Sequence, residues 1–465
     1  MPRRQPLDRH GGPVRATFDL VAPLADEATA MHTREHSGAV SPLIDARNTG
    51  GLRRGDVDSA NHRSTPRTAT TPGCRTSATA TRTTATSRTT TAPVPSADQC
   101  HPGHADFSFT ELVAAYFDCR RTKRNKPSAL AFEQDLERNL ARLDDELRSG
   151  AYRPGTSICF VITRPKPREV WAADFRDRIV HHLLYNRVAP RFYASFIADS
   201  CACIPGRGTL YAARRLEAKV RSITQNWSRP VWYLKCDLAN FFVSIDKRIL
   251  WNLLAPRIVE PWWRQLADTI LFHDPRPGAV LHSPAQRMAL IPPHKSLFNQ
   301  PATHGLPIGN LSSQFFANVY LDALDQRIKH RLRARHYIRY VDDFVLLHES
   351  PQWLNAARAD IEAFLPATLG VRLNPSKTIL QPVDRGIDFV GQIIQPWRRT
   401  IRRRTRNTAL HRVHHAGADD LPKIANSYFG LFRQATHSHG DRTALAGILR
   451  RRGYATDKSF TKIQK

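Results

Sequence analysis

Three aspartates, set in two distant stretches of the chain, have the type and spacing to do chemistry. Asp237 closes the apolar run of VWYLKCDLANFF, and Asp342-Asp343 interrupts the apolar run of HYIRYVDDFVLLHES. Both flanks read as β-strands, which puts the first acid at a strand end and the pair at a hairpin turn. Acids held this close in an apolar sheet are costly unless a cation joins them, so a metal is expected. Mg2+ suits such a set, because it takes a few carboxylates from different elements and completes its shell with water and phosphate oxygens. Two such ions about 3.5–4 Å apart can activate a hydroxyl and neutralise a triphosphate in one in-line displacement. The aspartate pair alone would also suit an ordinary polar turn. The order of segments argues for more: strand, Asp237 and two aromatics, then GLPIGNLSSQ, YVDD, LNPSKT and FVGQ.

Those acids need elements to hold them. Order begins near Phe107, where FTELVAAYFDCRR and ALAFEQDLERNLARLDDELRSG carry apolar residues at helical spacing and predict two helices, the second stopping at Gly150. SICFVITRPKPREVWAADFRDRIVHHLL predicts a hairpin-like cationic lobe, with a strand over 158–162, a basic Pro-rich turn and a helix from about Asp174. After Asp237 the chain turns, and Ser244 reads as the N-cap of the helix IDKRILWNLLAP. GLPIGNLSSQFFANVYLDALDQRIKH gives a Gly/Pro loop and a helix with Phe316, Val319, Tyr320, Ala323, Leu324 and Ile328 on one face. The helix WLNAARADIEAFLPATL and strand pieces ILQPV and IDFVGQII complete a core of mixed helices and strands, and the basic segment beyond Trp397 reads as helical.

Composition narrows the partner. There are 69 Lys+Arg against 41 Asp+Glu, a formal net charge of +28 that favours a polyanion such as nucleic acid. Residues 1–105 are low in complexity and rich in Thr, Ala, Ser, Arg and Pro, and read as a disordered basic tail. No secretory leader and no run of apolar residues long enough for a bilayer is seen, so a soluble cytoplasmic protein without a membrane partner is expected. Seven cysteines lack C-x-x-C spacing, and Cys201-Ala-Cys203 reads as reduced, partly buried thiols. The doublets His181-His182 and His414-His415 have neighbours pointing apart and receive no metal role.

On these motifs, over about residues 107–400, the chain resembles the reverse transcriptases. The resemblance implies an α+β right-hand polymerase: fingers over about 106–228, a palm over about 229–394 built of antiparallel sheet and helices, and a basic helical thumb over 395–465. CDLANFF resembles the first palm motif, which makes Asp237 a metal ligand and sets the backbone of Leu238 beside the metal and triphosphate. YVDD resembles the catalytic hairpin, with Asp342 and Asp343 as ligands of two Mg2+ ions, for which Mn2+ can stand in, and Tyr340 near primer or template. Phe242 matches the ring that crowds a ribose 2′-OH and favours deoxynucleotides. Lys377 in NPSKT resembles the lysine that protonates departing pyrophosphate, and Phe389 and Gly391 in FVGQ resemble the primer grip. Arg168, with Lys166 behind it, is the expected triphosphate contact; Arg178 is expected on template or primer, or in an ion pair with Asp174 or Asp177.

One departure narrows the resemblance. Where many reverse transcriptases carry Pro-Gln-Gly and later Ser-Pro, this chain has Ile308 before Gly309 and Ser313-Gln314. The GLPIGNLSSQ form is similar to the enzymes of diversity-generating retroelements, with Ile308, Gly309 and Gln314 on the nucleotide side. A hydrocarbon replaces an amide beside the nascent pair, so discrimination should weaken. The implied partners are template RNA, primer and cDNA strand, dNTPs and a small basic accessory protein. Competing readings are a retron-like or defence-linked bacterial reverse transcriptase and a non-catalytic nucleic-acid binder of the same fold. An RNA-templated RNA polymerase is opposed by Phe242.

Overall fold

The computed structural model describes residues 105–464, apart from 122 and 165. The expected disordered tail, 1–105, lies outside the described residues except for its last position. Period-two alternation builds the centre. Five strands run in the order Ser200–Cys201, His336–Tyr340, Asp343–His348, Trp232–Asp237 and Ile379–Pro382. The first pair is parallel and the others are antiparallel.

Alternation sends successive residues of these strands to two separate cores. Leu234, Cys236, Phe344 and Leu346 join a large core with Phe316 and Tyr320 of the helix Leu311–Gln326 and Leu354 and Ile361 of the helix Pro351–Phe364. Val231, Tyr233, Val345 and Leu347 face the other way, onto Leu216 and Val220 of the helix Thr209–Ile223 and onto Ile387, Phe389 and Ile394. With both faces covered, the strands are apolar nearly throughout. By the same parity, the odd positions 235, 237 and 343 fall on the second face.

The expected lobe before the centre is a hairpin, Ile158–Ile162 antiparallel to Arg168–Ala172, with Val280–Leu281 added in parallel. A third sheet pairs Ile387–Phe389, Gln392–Gln395 and Arg398–Ile401. The C-terminal helices Arg403–His415, Leu421–Phe432 and His439–Arg451 pack around Val413, Phe429 and Leu449. Helices packed on mostly antiparallel sheets give the chain the expected α+β class, and among the described residues no helix is long and apolar enough to cross a membrane.

Local expectations fail at three places. The opening segment holds three helices, Phe109–Arg120, Pro127–Glu133 and Leu136–Arg148, because Asp135 leaves helical geometry (φ −135°, ψ 58°) and restarts the chain as an N-cap. Ser244 closes a one-turn helix, Phe241–Ser244, and the next helix, Lys247–Leu254, is capped by Asp246. The Asp246 carboxylate accepts from Arg248 N at 2.7 Å and Ile249 N at 3.3 Å, two donors a helix start leaves open. Beyond Trp397 the chain first makes a strand, because Arg399 is buried there by Glu217, Gln392 and the Gln434 carbonyl.

Candidate active site

The acids meet through register. In the antiparallel pair of central strands Asp237 stands directly opposite Asp343, and Tyr340 opposite Asp343 closes the hairpin on the other side. The backbone locks the third acid in place, since Leu238 N donates to Asp342 O at 3.3 Å. Beyond Asp237 the chain is held by Asn374 N on Asp237 O at 2.8 Å, which brings in the NPSKT turn. Lys377 Nζ then donates to Asp237 Oδ1 at 2.6 Å, and Asn374 Nδ2 approaches the same oxygen at 3.5 Å.

Asp343 has its own cation. Lys235 Nζ lies 3.0 Å from Asp343 Oδ2 and also donates to the Asp388 carbonyl at 2.6 Å, tying the acid to the strand that precedes FVGQ. Burial pushes the Asp343 carboxyl up to about 7; Lys235 opposes this, and Asp342 and Asp237 add to it. Burial and the facing Asp237 push Asp342 up to about 6, against Lys377 and Arg168. Arg168 therefore lies close enough to act on the cluster by its charge. Like charges crowded at low dielectric are the pattern of a functional site rather than of a solvated turn.

A divalent ion fits this donor set. Asp343 Oδ1 is buried without a hydrogen-bond partner, a hard oxygen left open beside two other carboxylates, while the charges now offsetting the acids come from lysine side chains. Among the described residues no three His, Cys, Asp or Glu side chains form a ready-made metal cage. Mg2+ does not need one, as it keeps water and substrate phosphates in its shell. Asp237, Asp342, Asp343 and the carbonyl of Leu238 are the groups that would hold it.

The remaining expected residues divide. Phe242 is half-buried against Phe241, and its carbonyl accepts from Leu306 N at 2.8 Å, so the GLPIGN loop stands beside the ring. Ile308 O accepts from Trp171 N at 2.7 Å and Asn310 Oδ1 from Ala173 N at 3.2 Å, fastening that loop to the Arg168–Ala172 strand. Gly309 makes the contact feasible, since at φ +127° a Cβ there would lie 2.6 Å from Trp171 O. Gln314 is half-buried in the first turn of the following helix. Tyr340 packs edge-on against buried Phe389, and Gly391 forms the turn of that hairpin. Lys166 is exposed in its turn. Arg178 makes no ion pair with Asp174 or Asp177, although both acids and Cys119 act on it by charge, and its Nε is buried and unpartnered. The cysteine expectation agrees with the structure, as Cys201 and Cys203 are free thiols whose pKa burial pushes up to about 12.

Sequence reasoning missed four residues. Lys235, Asn374 and Arg339 support the acids, and buried Glu169 joins Trp171 Nε1, Ser296 Oγ and Leu297 N at 2.6, 2.6 and 2.9 Å. The signal available for Lys235 and Arg339 was a lone cation inside an apolar strand next to a candidate acid.

Residues 164–394 match the family model described as reverse transcriptase (RNA-dependent DNA polymerase). Protein YkfC of Escherichia coli (strain K12) is 25% identical over 298 residues, 57% of this chain and 71% of that protein. Among solved structures, the apo telomerase of Candida tropicalis truncated from its C-terminal domain is 12% identical with a TM-score of 0.38, over 52% of this chain and 53% of that one. A telomerase of Candida albicans in complex with a fragment of telomeric RNA is 12% identical with a TM-score of 0.37, over 64% and 56%. The chain thus spans a little over half the length of the solved chains it matches. Asp237, Asp342 and Asp343 all fall inside the matched segment, and residues 164–394 are a reverse transcriptase domain.

Proposed function

We propose that this chain makes cDNA on an RNA template, extending a primer with dNTPs by two-metal nucleotidyl transfer. The observation that carries the reading is Asp237 facing Asp343 across one ladder, with Asp342 tied to Leu238 by the backbone. In this reading residues 106–228, 229–394 and 395–465 serve as fingers, palm and thumb. Two Mg2+ ions, or Mn2+ in their place, would supply Lewis acidity at the phosphoryl oxygens and lower the pKa of the attacking 3′-hydroxyl. Asp237, Asp342 and Asp343 hold the charge that binds them. Lys377 Nζ, already on Asp237 Oδ1, is poised to give a proton to the departing pyrophosphate. Arg168, with Lys166 behind it in the exposed turn, binds the triphosphate, Phe242 fills the space a 2′-OH would need, and Tyr340, Phe389 and Gly391 guide primer and template.

The half-buried hydrocarbon of Ile308, fixed by its own carbonyl beside the Phe242 loop, supports a finer reading. The enzyme is error-prone and works in a diversity-generating retroelement, in the cytoplasm, with a small basic accessory protein and a dedicated template RNA. Primer extension on an RNA template with dNTPs and with NTPs tests the first reading. DNA product from wild type and ribonucleotide incorporation gained in Phe242→Ala are expected; no dNTP product defeats it. Sequencing the cDNA of Ile308→Gln beside wild type tests the second, and equal error spectra defeat it.

A further inference from the structure

Arg339 is a cation sealed in the palm, with 1% of its side chain exposed. All five of its N–H donors are occupied, the full capacity of a guanidinium. Nε donates to Asp325 Oδ1 at 2.8 Å and Nη2 to Asp325 Oδ2 at 2.6 Å and Ser200 Oγ at 2.7 Å. Nη1 donates to Asn318 Oδ1 at 3.2 Å and to the Val341 carbonyl at 3.0 Å. Four of these bonds go to the floor beneath the site, Asp325 and Asn318 on the Leu311–Gln326 helix and Ser200 on the edge strand. The fifth goes to the turn that carries Asp342.

That turn needs support. Val341 has φ +56°, and Asp342 is not among the residues of positive φ. Positive φ at the first central residue alone is the type II′ pattern, a place that normally requires glycine. A β-branched residue persists there only when its surroundings hold it. Burying an Arg–Asp pair contributes little net stability compared with apolar side chains of the same volume, so stability gives a weak reason for the pair. A donor aimed at Val341 O is something no apolar replacement could supply.

We propose that Arg339 is a positioning residue: braced by Asp325, Asn318 and Ser200, it clamps the strained Val341 turn so that Asp342 and Asp343 stand preformed for metal. The proposal rests on the reading of those acids as metal ligands. Lysine at 339 keeps a charge for Asp325 but, with three donors on a point ammonium, cannot span Asp325, Ser200 and Val341 O together.

The full chain is compared as wild type, Arg339→Lys and Ser200→Ala, the last removing a brace while Val341 O keeps its donor. Three readouts are taken: hydrogen exchange of the peptide covering 338–344, Mn2+ affinity by electron paramagnetic resonance, and kcat and KM in primer extension. For Arg339→Lys the expected result is exchange and Mn2+ affinity each worse by about tenfold, one lost hydrogen bond's worth, with kcat reduced and primer–template KM unchanged. Ser200→Ala should lower the unfolding midpoint without either change. Val341→Gly in the Arg339→Lys background should recover most of the Mn2+ affinity, because glycine adopts the turn unaided. Wild-type exchange and affinity in Arg339→Lys, or the same losses in Ser200→Ala, would overturn the proposal. Where Arg339→Lys does not fold, the double replacement Arg339→Met with Asp325→Leu leaves no lone buried charge. It should fold yet show the same losses, and wild-type protection of 338–344 in it would overturn the clamp. A wild-type chain that makes no DNA would defeat the functional reading alone, since exchange of the turn is measured without metal or substrate.

Discussion

Replacing Gly309 by alanine is the sharpest perturbation the fold offers. A Cβ on that backbone would sit 2.6 Å from Trp171 O and 2.9 Å from Val170 Cγ1, at a φ of +127° that side chains rarely adopt. The backbone strain is of order 1–3 kcal/mol. The collision is with a strand rather than a flexible tip, and overpacking of this kind costs about 1–3 kcal/mol more. The GLPIGN loop can escape only by leaving the Arg168–Ala172 strand, which breaks Trp171 N on Ile308 O and Ala173 N on Asn310 Oδ1. A penalty of about 4 kcal/mol on the docked loop lowers its population roughly a thousandfold, at about 1.4 kcal/mol per factor of ten. Single-nucleotide incorporation should therefore lose about two to three powers of ten in kcat/KM for the dNTP, by the same conversion. Thermal unfolding should move far less, because the loop moves while the cores stay packed. Gly278→Ala is the control: φ is +70° there too, but nothing lies within 4 Å of the added carbon. Equal activity losses in the two variants, or a wild-type rate in Gly309→Ala, would refute the reasoning.

Two further outcomes follow from the charges. Lys235→Met removes the cation between Asp343 Oδ2 and the Asp388 carbonyl, so the metal-free variant should be less stable by about 1–3 kcal/mol. Mg2+ should restore more of its unfolding midpoint than it adds to wild type, and equal increments would contradict the arrangement. His181 is buried, and burial with nearby His182 and Arg178 lowers its pKa to about 3. The unfolded chain takes up that proton below about pH 6.5 while the fold refuses it, so the stability from this residue is present above about 6.5 and lost as pH falls. At pH 5 the loss is about 2 kcal/mol from His181 alone, at 1.4 kcal/mol per unit. Denaturant unfolding at pH 7, 6 and 5 should show a shallower decline in His181→Asn, and parallel declines would count against a buried neutral imidazole.

The site was legible where local pattern and chemistry coincide. Asp237 at a strand end and Asp342-Asp343 at a turn could be read because apolar alternation stops at an acid in both places. IDFVGQII reads as one strand piece, but the chain turns at Val390 and Gly391 and pairs Ile387–Phe389 antiparallel with Gln392–Gln395. What escaped depends on topology. Lys235 and Arg339 look like solvated strand cations until the sheet is covered on both faces, and only register shows that Lys235 lies beside Asp343. Glu169 looks exposed in PREVW, yet it is buried by Ser296 and Leu297 from a segment more than a hundred residues away. The cap was misplaced from Ser244 to Asp246 because both are good caps and the extended geometry of Ile245 decided between them. The strand Arg398–Ile401 was hidden by its arginines, of which Arg399 is met by Glu217 and Gln392 while Arg398 donates to Gln395.

The most direct measurement is the rate of dNTP addition to a primer on an RNA template in Mg2+, by the wild-type chain and by Asp237→Asn and Asp343→Asn, each verified as folded. The account predicts DNA product from the wild type and a fall of at least about a thousandfold in each variant, on the scale of a lost charge-stabilising group. Extension by either variant at the wild-type rate would contradict it.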